Sequence, residues 1–339
     1  MRRIRIAQIG INRYSHGPEL FFTMKQHPEL FDLVGYALVE DEAETCAKKI
    51  EDFYGGYPQL SLREILEDES IEAVTVETDE IHLFKYAQMA AEAGKHIHME
   101  KPGSQSLADF EGLIETMRKT KRVFHVGYMY RYHPLIAQTV ERARLGALGD
   151  ILSVEAQMSR YDRREGREWL SAFRGGMMFY LGSNMLDVIM QIQGEPLKVI
   201  PLNAATGVDG VESEDFGCAA LIYPRGTSLI RTVSGEVGGS GRRQIVVCGT
   251  KGTVEIRPIE AEYPTPTWEC MFTSEARETL LEDGRAVSAH RMTEPYQRYY
   301  EMIASFAAMV RGERENPYTL AYESALYRTL MKCCGAEEA

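Results

Sequence analysis

The sequence predicts an α/β plus α+β protein: a doubly wound parallel-sheet domain over residues 1–127, then a domain over 128–339 whose strands pair mostly antiparallel. Three observations predict it. At 339 residues the chain exceeds the usual size of one hydrophobic core. Through the first 127 residues, short apolar runs alternate with helix-period patterns, which implies βαβ units and a parallel sheet. Beyond Gly127 the runs lengthen and tight turns join them, which implies antiparallel neighbours.

In order, the first-half strands are predicted at Ile4–Ile9, 31–39, Ala73–Val76, His96–Met99 and 123–127. Between them, Ser61-Leu62-Arg63-Glu64 reads as a capping box, because Ser and Glu side chains satisfy free amides of a first helical turn. Ile81, Phe84, Ala87 and Ala91 recur at helical spacing, with Gly94 placed to stop that helix. Ser106 to Asp109 reads as a second capping box, followed by Leu107, Phe110, Leu113, Ile114 and Met117 on one face.

The second-half strands are predicted at Ile151–Gln157, Phe216–Tyr223, 227–234, 243–248 and 253–257. Tyr223-Pro224-Arg225-Gly226 and Gly249-Thr250-Lys251-Gly252 supply two of the turns. Helical stretches frame them: a stripe of Tyr296, Tyr299, Ile303, Phe306 and Val310, and another over 320–332. Segment 258–267 is Pro-rich and irregular.

Composition narrows the function. Thirty-eight basic against fifty acidic residues give a net charge of −12, which argues against nucleic-acid or anionic-membrane binding, since both need a basic surface. Cys46, Cys218, Cys248, Cys270, Cys333 and Cys334 form no C-x-x-C pair, and scattered cysteines of this kind suggest reduced thiols. The start, Met1 to Ile6, is too polar for a signal peptide, and no apolar run is long enough to span a bilayer. The expectation is a soluble, cytoplasmic protein. The histidines make no spaced pair or carboxylate cluster that reads as a metal site.

Gly10 follows a predicted strand and precedes a helix, as a dinucleotide-binding turn requires. Asn12 and Ser15 stand where the second and third glycines of G-x-G-x-x-G belong. Asn tolerates a left-handed backbone and Ser is small, although a lone glycine after a strand also reads as an ordinary turn. Pro18-Glu19 suits a first helical turn, whose free amides face an anion. At the end of the second strand, Glu40 and Asp41 stand where a carboxylate accepts from ribose hydroxyls and repels a 2′-phosphate; a solvated acidic turn is the other reading. NAD is therefore expected over NADP, with Arg13 the residue able to overturn this by reaching a 2′-phosphate.

The sharper signal is Gly94-Lys95-His96-Ile97-His98-Met99-Glu100-Lys101-Pro102, where a strand delivers a carboxylate, an ammonium and a proline at its carboxyl end. Ligands sit at that edge in open α/β sheets, and Thr78 to His82 face the same crevice. Here the sequence resembles the glucose–fructose oxidoreductase / inositol dehydrogenase family, often written Gfo/Idh/MocA. The resemblance extends over Tyr130-Arg131-Tyr132-His133-Pro134, Leu148-Gly149-Asp150-Ile151, Gly175-Gly176 through Asp187, and Gly249 to Thr253.

The resemblance implies an NAD(P)-dependent oxidoreductase acting on a sugar, polyol or related hydroxy compound. It also implies a second domain on an open sheet whose free face commonly makes a homodimer or homotetramer. By position, Glu100 and Lys101 supply the pair whose lysine reaches substrate and nicotinamide, Thr78 and His82 line the nicotinamide end, and Arg131 and Asp187 fall on the substrate side.

One departure matters. The family usually has Asp at the position of Tyr180 and a proton-accepting His at that of Asn184. Asn holds a hydroxyl by hydrogen bonds but does not take its proton. Two candidates remain for the base: Lys101, helped by burial beside a positive nicotinamide, and Tyr180, if an ammonium lies near it; a packed core aromatic is the other reading of Tyr180. Arg160, Arg163, Arg164, Arg167 and Arg174 with Trp169 read either as a binding surface for an acidic sugar or as a loop balanced by Asp162, Glu165 and Glu168. The leading expectation is a dehydrogenase acting on a secondary hydroxyl. A non-catalytic NAD and sugar sensor, or a transient-redox lyase or deglycosidase, stands as its alternative.

Overall fold

The computed structural model describes residues 2–14, 16–265 and 270–336. Ser15, Pro266 and Thr267 lie outside the described residues. The chain packs as two units, Met1–Tyr128 with Tyr299–Ser324, and Met129–Arg298 with Ala325–Ala339. The change of texture after Gly127 therefore falls beside the first crossing. Tyr299–Ser324 groups differently from the sequence expectation, with the first unit. The helix Tyr300–Val310 buries Met302, Ile303 and Phe306, and the Phe306 ring stacks 5.6 Å from that of His125.

The first unit holds β1 (Ile4–Ile9), β2 (Phe31–Ala37), β3 (Ala73–Val76), β4 (His96–Met99) and β5 (Phe124–Val126). All pair parallel in the order β2-β1-β3-β4-β5. β3 is buried throughout, as a parallel strand covered on both faces must be. The order reverses between β1 and β3, so the ligand crevice of such a sheet opens at their carboxyl ends.

The capping box at Ser61 is complete: its hydroxyl accepts from the Glu64 amide, and Glu64 accepts from the Ser61 amide. At Ser106 the structure forms the hydroxyl half, an amide donated by Asp109 at 3.2 Å. The helix Leu83–Glu92 turns Leu83, Tyr86, Ala87, Ala90 and Ala91 inward. Ile81, expected on that buried stripe, precedes the helix and is exposed.

The second unit carries an eight-stranded sheet in the order β15-β14-β11-β10-β6-β9-β8-β7. These are β6 (Ile151–Gln157), β7 (Lys198–Pro201), β8 (Phe216–Tyr223), β9 (Gly226–Val233), β10 (Gln244–Gly249), β11 (Gly252–Ile256), β14 (Glu275–Glu282) and β15 (Arg285–Met292). Every neighbouring pair is antiparallel except β6 with β9. A smaller sheet joins β12 (Ala261–Tyr263), β13 (Met271–Thr273) and β16 (Tyr296–Gln297). Tyr296 thus belongs to a strand, not to the helical stripe expected there, and residues 261–263 of the irregular segment also form a strand. Among the described residues, no helix is long and apolar enough to cross a membrane.

Candidate functional site

In the first unit, the crevice is built from the loops after β1, β2, β3 and β4. Gly10 ends β1 at φ +82°, and a Cβ placed there would sit 2.7 Å from the Thr78 Cβ and 2.9 Å from its backbone. Only glycine permits that approach. Asn12, at φ 58°, donates its side-chain amide to the Thr78 carbonyl at 2.8 Å and to Glu80 at 3.1 Å. Its Oδ1 accepts the Tyr14 amide at 2.7 Å, so this residue locks the turn against the β3 loop.

The amides of Ile11 and Asn12 converge on one oxygen of Glu42, at 3.0 and 3.2 Å. The other Glu42 oxygen accepts the Val39 amide at 3.0 Å. Converging backbone amides at a strand-to-helix turn make an anion cradle. The Glu42 carboxylate occupies that cradle, whose donor set suits the anionic oxygens of a phosphate as well as those of a carboxylate. Burial pushes the Glu42 carboxyl up, against the amide bonds that pull it down.

Glu40, the expected ribose acid, accepts from Lys85 Nζ at 2.6 Å and the Tyr86 hydroxyl at 2.7 Å, with His82 Nδ1 at 3.8 Å. The bond from Lys85 comes first among the causes holding its carboxyl below the usual range. A cation therefore stands at Glu40 even though no arginine follows it in sequence. Arg13 lies over the Tyr14 ring, 4.6 Å from its centroid.

Glu100 and Lys101 belong to a buried acidic group whose other members, Glu77 and Glu80, were given no role by the sequence. Glu100 and Lys101 are buried with Oε1 and Nζ 3.4 Å apart, and Glu77 and Glu80 are buried on the β3 loop. Burial pushes the Glu80 carboxyl up to about 7 and raises Glu77 well above the usual range. Their signal was the cluster Glu77-Thr78-Asp79-Glu80 directly after an apolar strand. His98, held neutral by burial with its pKa near 3, approaches Glu77 at 3.8 Å and meets His125 at 2.7 Å.

The Glu80 shift sets a testable pH dependence. Folded Glu80 keeps its proton up to about pH 7, while the unfolded chain loses it near 4.5. Its contribution therefore falls as pH rises through that window, and above it the full penalty applies. Glu80→Gln removes the burial of a charge and still accepts from Asn12. Its stability gain above neutral pH is on the order of 3 kcal/mol, absent below the window, read by denaturant unfolding at a series of pH values. An equal change at both ends of that series refutes the assignment.

In the second unit, Gly175 and Gly176 adopt φ of +79° and +42°, and a Cβ on Gly176 would meet the Glu214 carbonyl oxygen at 2.3 Å. The chain then makes a π-helical turn, Met178–Gly182, that runs into the helix Ser183–Gln193. Turns of that kind are frequent at functional sites. The Tyr180 hydroxyl accepts from Arg160 at 3.2 Å, and the guanidinium lies 4.8 Å from the ring centre. Trp169 packs edge-on against Tyr180 at 5.0 Å and against Phe173 at 4.7 Å. Arg160 also donates to Asp162 at 2.7 Å. Within this unit the cation beside Tyr180 is therefore an arginine.

Asn184 is 2% exposed, and neither its Oδ1 nor its Nδ2 has a hydrogen-bond partner among the described residues. A buried amide left so calls for a ligand or water. One turn on, Asp187 receives Arg131 in a fully buried pair at 2.9 to 3.2 Å and Gln191 at 2.9 Å. Arg131 and Asp187, both candidates for the substrate side, thus bind each other. The arginine run is largely balanced: Arg164 pairs with Glu168 at 2.8 Å, and Arg167 pairs with Asp209 and lies 3.6 Å from Asp215.

Comparison with known proteins bears on both units. Residues 4–128 match a model described as an oxidoreductase family with an NAD-binding Rossmann fold. Residues 136–255 match the GFO/IDH/MocA C-terminal domain. An uncharacterised oxidoreductase of Rhizobium meliloti is 24% identical over 280 residues, 82% of this chain and 79% of that one. A scyllo-inositol 2-dehydrogenase (NADP(+)) of Bacillus subtilis is 23% identical over 66% of this chain and 61% of its own length. In fold, the chain is similar to a levoglucosan dehydrogenase solved with NADH and levoglucosan, at a TM-score of 0.79 and 17% identity, covering 98% of each chain.

Proposed function

The chain belongs to the Gfo/Idh/MocA oxidoreductase family, with its NAD-binding Rossmann domain at the N-terminus, and from that premise we propose an enzyme that moves a hydride between nicotinamide C4 and a secondary hydroxyl of a sugar, polyol or glycoside. The observation that carries this reading is the buried amide of Asn184, a donor and an acceptor with no partner among the described residues and so open to a hydroxyl. The amides of Ile11 and Asn12 would hold the pyrophosphate, Glu40 the adenosine ribose, and Thr78, His82, Glu100 and Lys101 the nicotinamide end. Bound nicotinamide supplies the carbon that takes or gives hydride. Asn184 positions the reacting hydroxyl, Trp169 offers an indole to a sugar ring, and Lys101 and Tyr180 are the two candidate carriers of its proton. The Arg131–Asp187 pair supports the helix that bears Asn184.

NAD is proposed over NADP on the strength of Glu40, whose carboxylate repels a 2′-phosphate. Lys85, bound to Glu40, and Arg13 are the groups that would favour the phosphate instead. Titration of NADH and NADPH by nucleotide fluorescence decides it: tighter NADH is expected, and tighter NADPH ends the assignment. Reduction of NAD by a panel of sugars and polyols, followed by the absorbance of reduced nicotinamide, tests the activity. Binding of NAD without net reduction by any of them would leave the sensor or the transient-redox lyase or deglycosidase.

A homodimer or homotetramer is also proposed, through the outer face of the second unit's sheet. Phe216, Cys218, Ala220 and Ile222 of β8 are half-buried on the side opposite its buried residues, and Leu229 of β9 is exposed. Light scattering at a single-chain mass removes this proposal.

A further inference from the structure

Glu42 is 4% exposed, yet it does not pack as an ordinary buried side chain. Its two oxygens take three backbone amides, those of Ile11, Asn12 and Val39, from the loops after β1 and β2. Two of these donors are the consecutive amides just past Gly10, where the left-handed backbone of Asn12 turns both toward the same oxygen. A carboxylate and a phosphate present the same face to such donors: two anionic oxygens accepting from N–H groups. Both anions do not fit on one pair of amides.

We propose that Glu42 is an internal occupant of the dinucleotide's phosphate cradle, and that the cofactor binds only when this side chain is displaced. The inference rests on the NAD reading above. Glu42 opens a short helical segment, Glu42–Thr45, with no side-chain cap, which follows the left-handed Glu40. Its release therefore needs only a local change in the loop after β2. On the other side of the turn, Asn12 donates to Glu80 at 3.1 Å, which holds that side of the cradle in place. Occupancy by Glu42 divides the intrinsic affinity by the fraction of molecules whose cradle is open.

The test is calorimetric binding of NAD and of ADP-ribose to the wild type, Glu42→Ala and Glu42→Gln, with amide hydrogen exchange at residues 11 and 12. Circular dichroism confirms that each variant is folded; Glu42→Gln, whose neutral oxygen holds the amides about half as strongly as a carboxylate and so releases the cradle more readily, serves if Glu42→Ala does not fold. Cradle amides protected in the free wild type, exposed in Glu42→Ala and protected again by NAD are the expected pattern. Affinity for both ligands should rise by about tenfold or more on removing the carboxylate. A folded variant that binds NAD no more tightly than wild type overturns the proposal while the cofactor reading stands. Absence of NAD and ADP-ribose binding in all three proteins overturns both.

Discussion

Lys101→Met is expected to abolish turnover while leaving NAD affinity within a few fold of wild type. Lys101 lies at the carboxyl end of β4, buried, with Nζ 3.4 Å from Glu100 Oε1. Most dinucleotide affinity comes from the pyrophosphate and adenosine, which the loops after β1 and β2 would hold, so removing the ammonium should touch rate far more than binding. The substitution also leaves Glu77, Glu80 and Glu100 without that charge. Breaking a buried ion pair costs about 3–5 kcal/mol, so unfolding must be measured beside turnover. Lys101→Arg, which keeps the charge but is not an isostere, separates the two: a folded, inactive arginine variant assigns the loss to chemistry. Turnover reduced by less than about tenfold, roughly 1.4 kcal/mol of barrier, removes the lysine from the central role.

Tyr180→Phe is expected to slow turnover by about 10² or more, the usual worth of a positioned proton carrier. Its phenol oxygen accepts from Arg160, which orients the hydroxyl and places a cation where negative charge would develop. A free imidazole titrates near 6.5, far from an ordinary amine or phenol, so an imidazole placed here would bring its own step to the activity–pH curve. Asn184→His should then alter the pH profile without being needed for turnover. If the wild type binds NAD but reduces none with any sugar, and Asn184→His switches activity on, the Lys101 and Tyr180 mechanism is wrong. The chain would then be a binding protein lacking its base.

Local sequence was a sound guide where strands are buried, either almost throughout or on alternate residues. β1, β3, β4, β6 and β8 have the limits that their apolar runs predicted. It failed at the β14–β15 hairpin, where β15 is exposed along nearly its whole length and so carries no alternation to read. The one local sign was Asp283-Gly284, with φ of 47° and 77° at the hairpin turn. Strand β7 was missed for a related reason: Lys198, Ile200 and Pro201 are exposed on the edge of the sheet.

By itself, then, the sequence determined the family, the parallel sheet and the antiparallel second sheet, and it singled out Gly10, Lys101, Tyr180 and Asn184 as candidates. These follow from periodicity and from motifs that are contiguous in the chain. Only the tertiary structure decided which groups meet across long separations: Glu42 with the Gly10 turn, Lys85 with Glu40, Arg131 with Asp187, and Arg160 with Tyr180. The same holds for Glu77 and Glu80, ordinary loop acids by sequence, which become high-pKa carboxyls because the fold removes water from them. A side chain's partner and its solvent are properties of the packed chain, and no local pattern records them.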